Sequence, residues 1–168
     1  MEKGIAIYHL RNIRQEEKEL HEIVETDYNV NSLYDMEMHK TKVEKYYKSL
    51  KTSIDMLEYT IKNIENEIKV LKKQKEKGKN IDISYIGEYE KFTKEFREKI
   101  ERIKKENDEI VNKALLNIEI DIDEYEYYPT ANILEAIYIT AFNSPESVQR
   151  RQKEEDDEYY EHAMNKRD

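Results

Sequence analysis

The chain has no cysteine, no tryptophan, only three glycines and only two prolines in 168 residues. Without cysteine there is no disulfide framework and no thiolate to act as nucleophile or metal ligand. Three glycines supply neither a phosphate-cradling P-loop nor a Gly-x-Gly-x-x-Gly turn, and no Gly-x-Ser-x-Gly elbow occurs. A non-enzymatic protein with no cofactor is therefore expected. Scarce glycine and proline also leave few places to interrupt a helix, so long helices are expected. No apolar run approaches the roughly 20 residues that span a bilayer. The opening Met1-Glu2-Lys3-Gly4-Ile5 carries no signal-peptide pattern. The expected location is cytoplasmic, without membrane association.

Charge is plentiful. Charged residues make up 40% of the chain against 38% hydrophobic, and the net charge is -9. Such a composition fills narrow helix–helix seams better than a thick globular core. The negative balance makes free nucleic acid a disfavoured partner, because phosphates attract Lys and Arg. The Lys/Glu/Ile/Asn-rich composition resembles that of low-GC bacteria and their phages, which would place the protein in the cytoplasm of a bacterial host.

The dominant pattern is a heptad. Leu50, Ile54, Leu57, Ile61, Ile64, Ile68 and Leu71 step by four and three in strict alternation. The pattern extends back through Tyr47, Val43, Met36 and Leu33. Ile54, Ile61 and Ile68 take a positions, and Leu50, Leu57 and Leu71 take d positions. That choice favours two-stranded coiled coils, so a homodimer through part of Leu33–Leu71 is expected. A long helix is predicted from about residue 33 to about 77, opened by Ser32 as a cap and closed by Gly78. A second helix is predicted from about 88 to about 117. Its stripe is Tyr89, Phe92, Phe96, Ile100, Ile103, Asn107, Val111, Ala114 and Ile118, closer to an eleven-residue repeat. Two such helices joined by about ten residues form a hairpin. The expected fold is mainly α: a long antiparallel coiled-coil hairpin on a small helical and short-strand base.

The remaining segments supply that base. A helix is predicted over most of 8–25 on Leu10, Ile13, Leu20 and Val24, with Glu17 interrupting the stripe. Strand-like alternation marks 5–9, 81–87 and 118–122, where Ile118, Ile120 and Ile122 alternate with acids. A short buried helix is predicted over 132–142, and a last, exposed helix over about 145–164 behind Ser144-Pro145. Residues 1–31 form the N-terminal helical segment, 32–118 the hairpin, 119–143 the strand and buried helix, and 144–168 the charged C-terminal helix or tail.

Few residues suggest chemistry. His9, His21, His39 and His162 lack zinc spacing. His21 shares a helix face with Glu25 but would need further ligands. Asp121 and Asp123, with Glu119, read as the wet face of a strand before they read as a Mg²⁺ site. Ser144 to Arg151 resembles the opening of a helix-turn-helix recognition helix over eight residues. The turn lacks the usual Gly, and Glu154 to Glu158 follow at once, so a capped, exposed helix is expected. Lys69, Lys72, Lys73, Lys75, Lys77 and Lys79 crowd the hairpin tip, where they complement the helix dipole.

Two acidic tracts interleaved with tyrosine remain. The first holds Asp121, Asp123, Glu124, Tyr125, Tyr127 and Tyr128; the second holds Glu155, Asp156, Asp157, Tyr159 and Tyr160. Spaced carboxylates imitate phosphates, and tyrosine is enriched at interface anchors. The expected function is to bind or block a protein partner, with acidic mimicry at a nucleic-acid enzyme as one version. The alternative is a small phage-type regulator that touches nucleic acid through the Arg150/Arg151 helix or the Lys-rich tip.

Overall fold

The computed structural model describes the backbone of residues 2–142 and of Lys153, Glu155 and Asp156; side chains are described for residues 2–127 and those three positions. The protein is mainly α-helical. Among the described residues three long helices follow in order: α1 (Lys3–Glu25), α2 (Leu33–Glu76) and α3 (Ile83–Phe142). The chain divides into two compact units. The first comprises Met1–Thr26 and Thr41–Ala114, the second Asp27–Lys40 and Leu115–Asp168.

Local chemistry sets the helix ends. Thr26 closes α1 by donating its hydroxyl to Glu22 O at 2.6 Å. Ser32 caps α2, its Oγ accepting from the Asp35 N–H at 3.2 Å. At the other end Gly78 adopts φ +86°, a conformation that carries a steric penalty for residues with a Cβ. That turn lets Lys79 N–H reach Gln74 O at 3.1 Å and Gly78 N–H reach Lys75 O at 3.0 Å, which together satisfy the last carbonyls. Asp82 then opens α3, accepting from Ser84 N–H at 2.8 Å.

No strand is present among the described residues, and the three strand expectations are corrected. Residues 5–9 belong to α1, residues 83–87 to α3, and residues 118–122 lie in the middle of α3. A lone strand needs a mate, whereas extending a formed helix adds a hydrogen bond per residue without a new nucleus. α3 also runs on through Pro129. The predicted helix at 132–142 is the last part of α3, and burial of its side chains lies outside the described residues. So does the predicted helix at 145–164, apart from helical backbone at Lys153, Glu155 and Asp156.

The core of the first unit is drawn from all three helices. α1 contributes Ala6, Ile13 and Leu20, and α2 contributes Val43, Leu50, Ile54, Leu57, Ile61, Ile64 and Ile68. α3 contributes Ile86, Tyr89, Phe96, Ile100, Ile103 and Val111. Leu71, the last member of the heptad, is only half-buried. Each fully buried Leu or Ile is worth about 1.5–3 kcal/mol relative to exposure.

Ion pairs fix the order in which α2 and α3 meet in this unit. Lys72 pairs with Glu90 at 3.0 Å, Glu65 with Arg97 at 2.5 Å, and Glu58 with Lys104 at 2.5 Å. The partners advance seven residues along α3 for each seven they retreat along α2. Glu65 holds the Arg97 guanidinium above its ordinary pKa, against some desolvation. Glu58 does the same for Lys104. α1 runs the same way as α3: Lys3 pairs with Glu88 at 3.0 Å, and His21 meets Asn107.

Candidate functional site

The first acidic tract lies on a helix, and this changes which of its side chains face out. At 100° per residue, Leu116, Ile120, Asp123 and Tyr127 share one face, flanked by Glu119 and Glu124. Leu116 is 57% exposed, Ile120 46% and Tyr127 69%. Asp123 and Glu124 are exposed as well. The opposite face is Ile118, buried, with Asp121, Ile122 and Tyr125 half-buried. Strand alternation would have hidden all three isoleucines and wetted all the acids. The helix instead pushes Ile120 outward and turns Asp121 inward.

Asp121 is thereby given an internal role. It accepts a hydrogen bond from the Tyr28 hydroxyl. The Tyr28 ring in turn lies against His39, with centroids 4.8 Å apart and planes tilted by 30°. Burial pushes the Tyr28 hydroxyl up to about 12, and the Asp121 carboxylate adds to the shift both by hydrogen bond and by charge. The result anchors the 27–32 connection to α2 and α3 within the second unit. Nearby, Lys40 Nζ lies 3.4 Å from Glu119. Asp121 and Asp123 face different ways, so they do not form a paired carboxylate site.

Of the second tract, Glu155 and Asp156 are helical and exposed. Asp157, Tyr159 and Tyr160 lie outside the described residues, as do Arg150, Arg151, His162 and the side chain of Tyr128.

The heptad residues Leu50, Ile54, Leu57, Ile61, Ile64 and Ile68 have relative exposures of 0–5% within a single chain. A second copy would therefore have to meet another face. The Lys-rich tip is partly committed: Lys72 pairs with Glu90, and Lys75 Nζ donates to Ile81 O at 2.7 Å. Lys69, Lys73, Lys77 and Lys79 are exposed.

A polar cluster escaped the sequence reading. Glu17 and Asn107, both of which interrupt apolar stripes, are buried together. Asn107 Nδ2 donates to Glu17 Oε2 at 2.9 Å and to Ile103 O at 2.8 Å. His21 Nε2 donates to Asn107 Oδ1 at 2.9 Å, and Arg14 donates to Glu17 Oε1 at 2.9 Å. Every polar atom of the amide is used, which fixes its orientation and engages His21 Nε2. The signal was present as two polar residues at core positions on different helices. Among the described residues, no three His, Cys, Asp or Glu side chains converge as metal ligands would. Among those residues too, no helix is long and apolar enough to cross a membrane.

No family model, no curated protein and no solved structure matches this chain.

Proposed function

We propose that the chain is a non-enzymatic helical interaction protein that binds a basic protein surface through the outward face of α3. The observation that carries this reading is the run Leu116, Ile120 and Tyr127, exposed on one helical face among Glu119, Asp123 and Glu124. Large apolar side chains left in water beside carboxylates suit a partner with an apolar pocket rimmed by Lys or Arg. Tyr127 and Ile120 are the anchors; the carboxylates steer the encounter. The second tract, with Glu155 and Asp156 exposed, adds negative field of the same sign.

The scaffold reading goes with it. α2 and α3 act as an antiparallel coiled coil in the first unit, supported by ion pairs that recur every seven residues on both helices. Inhibition of a nucleic-acid enzyme by acidic mimicry is one form of this function. Nucleic-acid binding at the Lys-rich tip is the weaker reading, because two of its six lysines are engaged within the chain.

Affinity capture from the host, comparing the full chain with a Leu116→Ser/Ile120→Ser/Tyr127→Ala variant, tests the proposal. A partner lost with the variant should then bind more slowly after Asp123→Asn/Glu124→Gln and Asp156→Asn, with a flatter salt dependence. Tyr127→Ala should mainly speed dissociation. A partner whose binding ignores all of these changes would refute the reading.

A further inference from the structure

α2 carries a second heptad opposite the buried one. Met56, Tyr59, Asn63, Asn66 and Val70 step by three, four, three and four along its outward side. Met56 is 51% exposed, Tyr59 67% and Val70 53%. Asn66 is exposed and Asn63 half-buried. A surface helix needs one apolar stripe to join its own fold; this one carries in addition Met56, Tyr59 and Val70, exposed on the opposite side and interspersed with two asparagines.

We propose that this outward face of α2 is a self-association surface, on which a second copy of the chain docks antiparallel about Asn63. The order of residues is self-complementary under that operation. Met56 and Val70 each stand seven residues from Asn63, so a twofold axis there sets Met56 of one copy against Val70 of the other, twice. Asn63 meets its own equivalent, and an amide, being both donor and acceptor, satisfies another amide. Asp55 and Lys69 flank Met56 and Val70, so the same operation brings each Asp55 against a Lys69 of opposite charge.

The surface relief agrees. Beside Val70 lies an open groove of about 400 Å³ lined by Asn66, Glu67, Val70, Leu71, Gln74 and Tyr85. Leu71 is half-buried there because the inner seam ends at this turn. The long, flexible side chain of Met56 from the second copy reaches this groove. Methionine fills irregular gaps, and its sulfur is favourable against an aromatic ring such as that of Tyr85. A parallel arrangement fails on the same residues. It would stack Lys73 on Lys73 and Lys77 on Lys77, and would face one groove with another. The antiparallel arrangement instead brings each Lys73 beside Asp55 and Thr52 of the other copy, leaving Lys62 against Lys62, Lys77 against Lys48 and Lys73 against Lys51 as its unfavourable contacts. A stripe of about four turns makes a small interface, so the dimer should be weak and dependent on concentration.

The absence of cysteine makes the test direct. Met56→Cys and Val70→Cys are prepared as separate full-length variants and oxidised mildly, alone and mixed. The mixture should form a disulfide dimer at least about tenfold faster than either variant alone, since docking raises the effective concentration of the two thiols. Asn63→Cys should cross-link to itself, and Lys105→Cys serves as the exposed control. Fast cross-linking of Met56→Cys to itself would overturn the antiparallel geometry. Rates no greater than that of Lys105→Cys throughout would overturn the surface. Val70→Asp, at an exposed position, should leave the helical circular dichroism unchanged while sedimentation equilibrium shows dimer lost; dimer unchanged in this variant would also overturn the proposal.

Discussion

Replacing Asn107 with Leu should destabilise the protein even though it places an apolar residue in an apolar stripe. The amide is 1% exposed and makes three hydrogen bonds, to Glu17, Ile103 and His21. Removing it leaves the Glu17 carboxylate, 7% exposed, with Arg14 alone. A buried charged acceptor without its partner costs about 1–3 kcal/mol or more, and His21 loses its acceptor as well. Burial of the new Leu side chain returns about 1.5–3 kcal/mol at most, less any steric strain. The expected net loss is about 1–2 kcal/mol. In urea, with a slope near 2 kcal/mol/M, this moves the midpoint down by about 0.5–1 M. Glu17→Leu alone should cost less, because Asn107 Nδ2 keeps its bond to Ile103 O. The double variant should recover to wild-type stability or above, since a packed apolar pair often matches or exceeds a buried polar one. The coupling between the two sites should therefore be about 1–3 kcal/mol and favourable. Urea unfolding followed by far-UV circular dichroism measures all four corners. Additive effects, or a stabilised Asn107→Leu single variant, would show that the cluster is not holding α1 to α3.

Leu57→Ala should cost about 2–5 kcal/mol, since Leu57 is fully buried, while Leu71→Ala should cost well under half of that; equal shifts in thermal melts would contradict the burial gradient along α2. Tyr28 should ionise near pH 12 against the usual 10.0. Folding favours its protonated form, so this contribution to stability is complete below pH 10.0 and is lost as pH rises through about 12. Asp121→Asn should lower that titration toward 10.0 without abolishing the shift, because burial is the larger cause; ring-carbon NMR that finds Tyr28 titrating with the exposed tyrosines would refute it.

The sequence by itself determined that the protein is helical and which side of α2 turns inward. A 3.5-residue repeat states which side chains share a face, and burying that face is the chain's main favourable term. The turn at Gly78 and the cap at Ser32 were legible for a similar reason, since each depends on one residue's own conformation or hydroxyl. Residues 118–122 were not legible. Ile-x-Ile-x-Ile fits a strand and a helix equally over five residues, and only the continuity of α3 decides between them. That decision reversed the roles of Ile120 and Asp121, exposing the first and giving the second to Tyr28, 93 residues away. The same holds for Glu17 and Asn107. Each looks like a flaw in its own stripe, and only their meeting across two helices, 90 residues apart, makes them a matched pair. Periodicity is a property of one helix, but the satisfaction of a buried polar group is a property of two, and only the tertiary structure supplies the second.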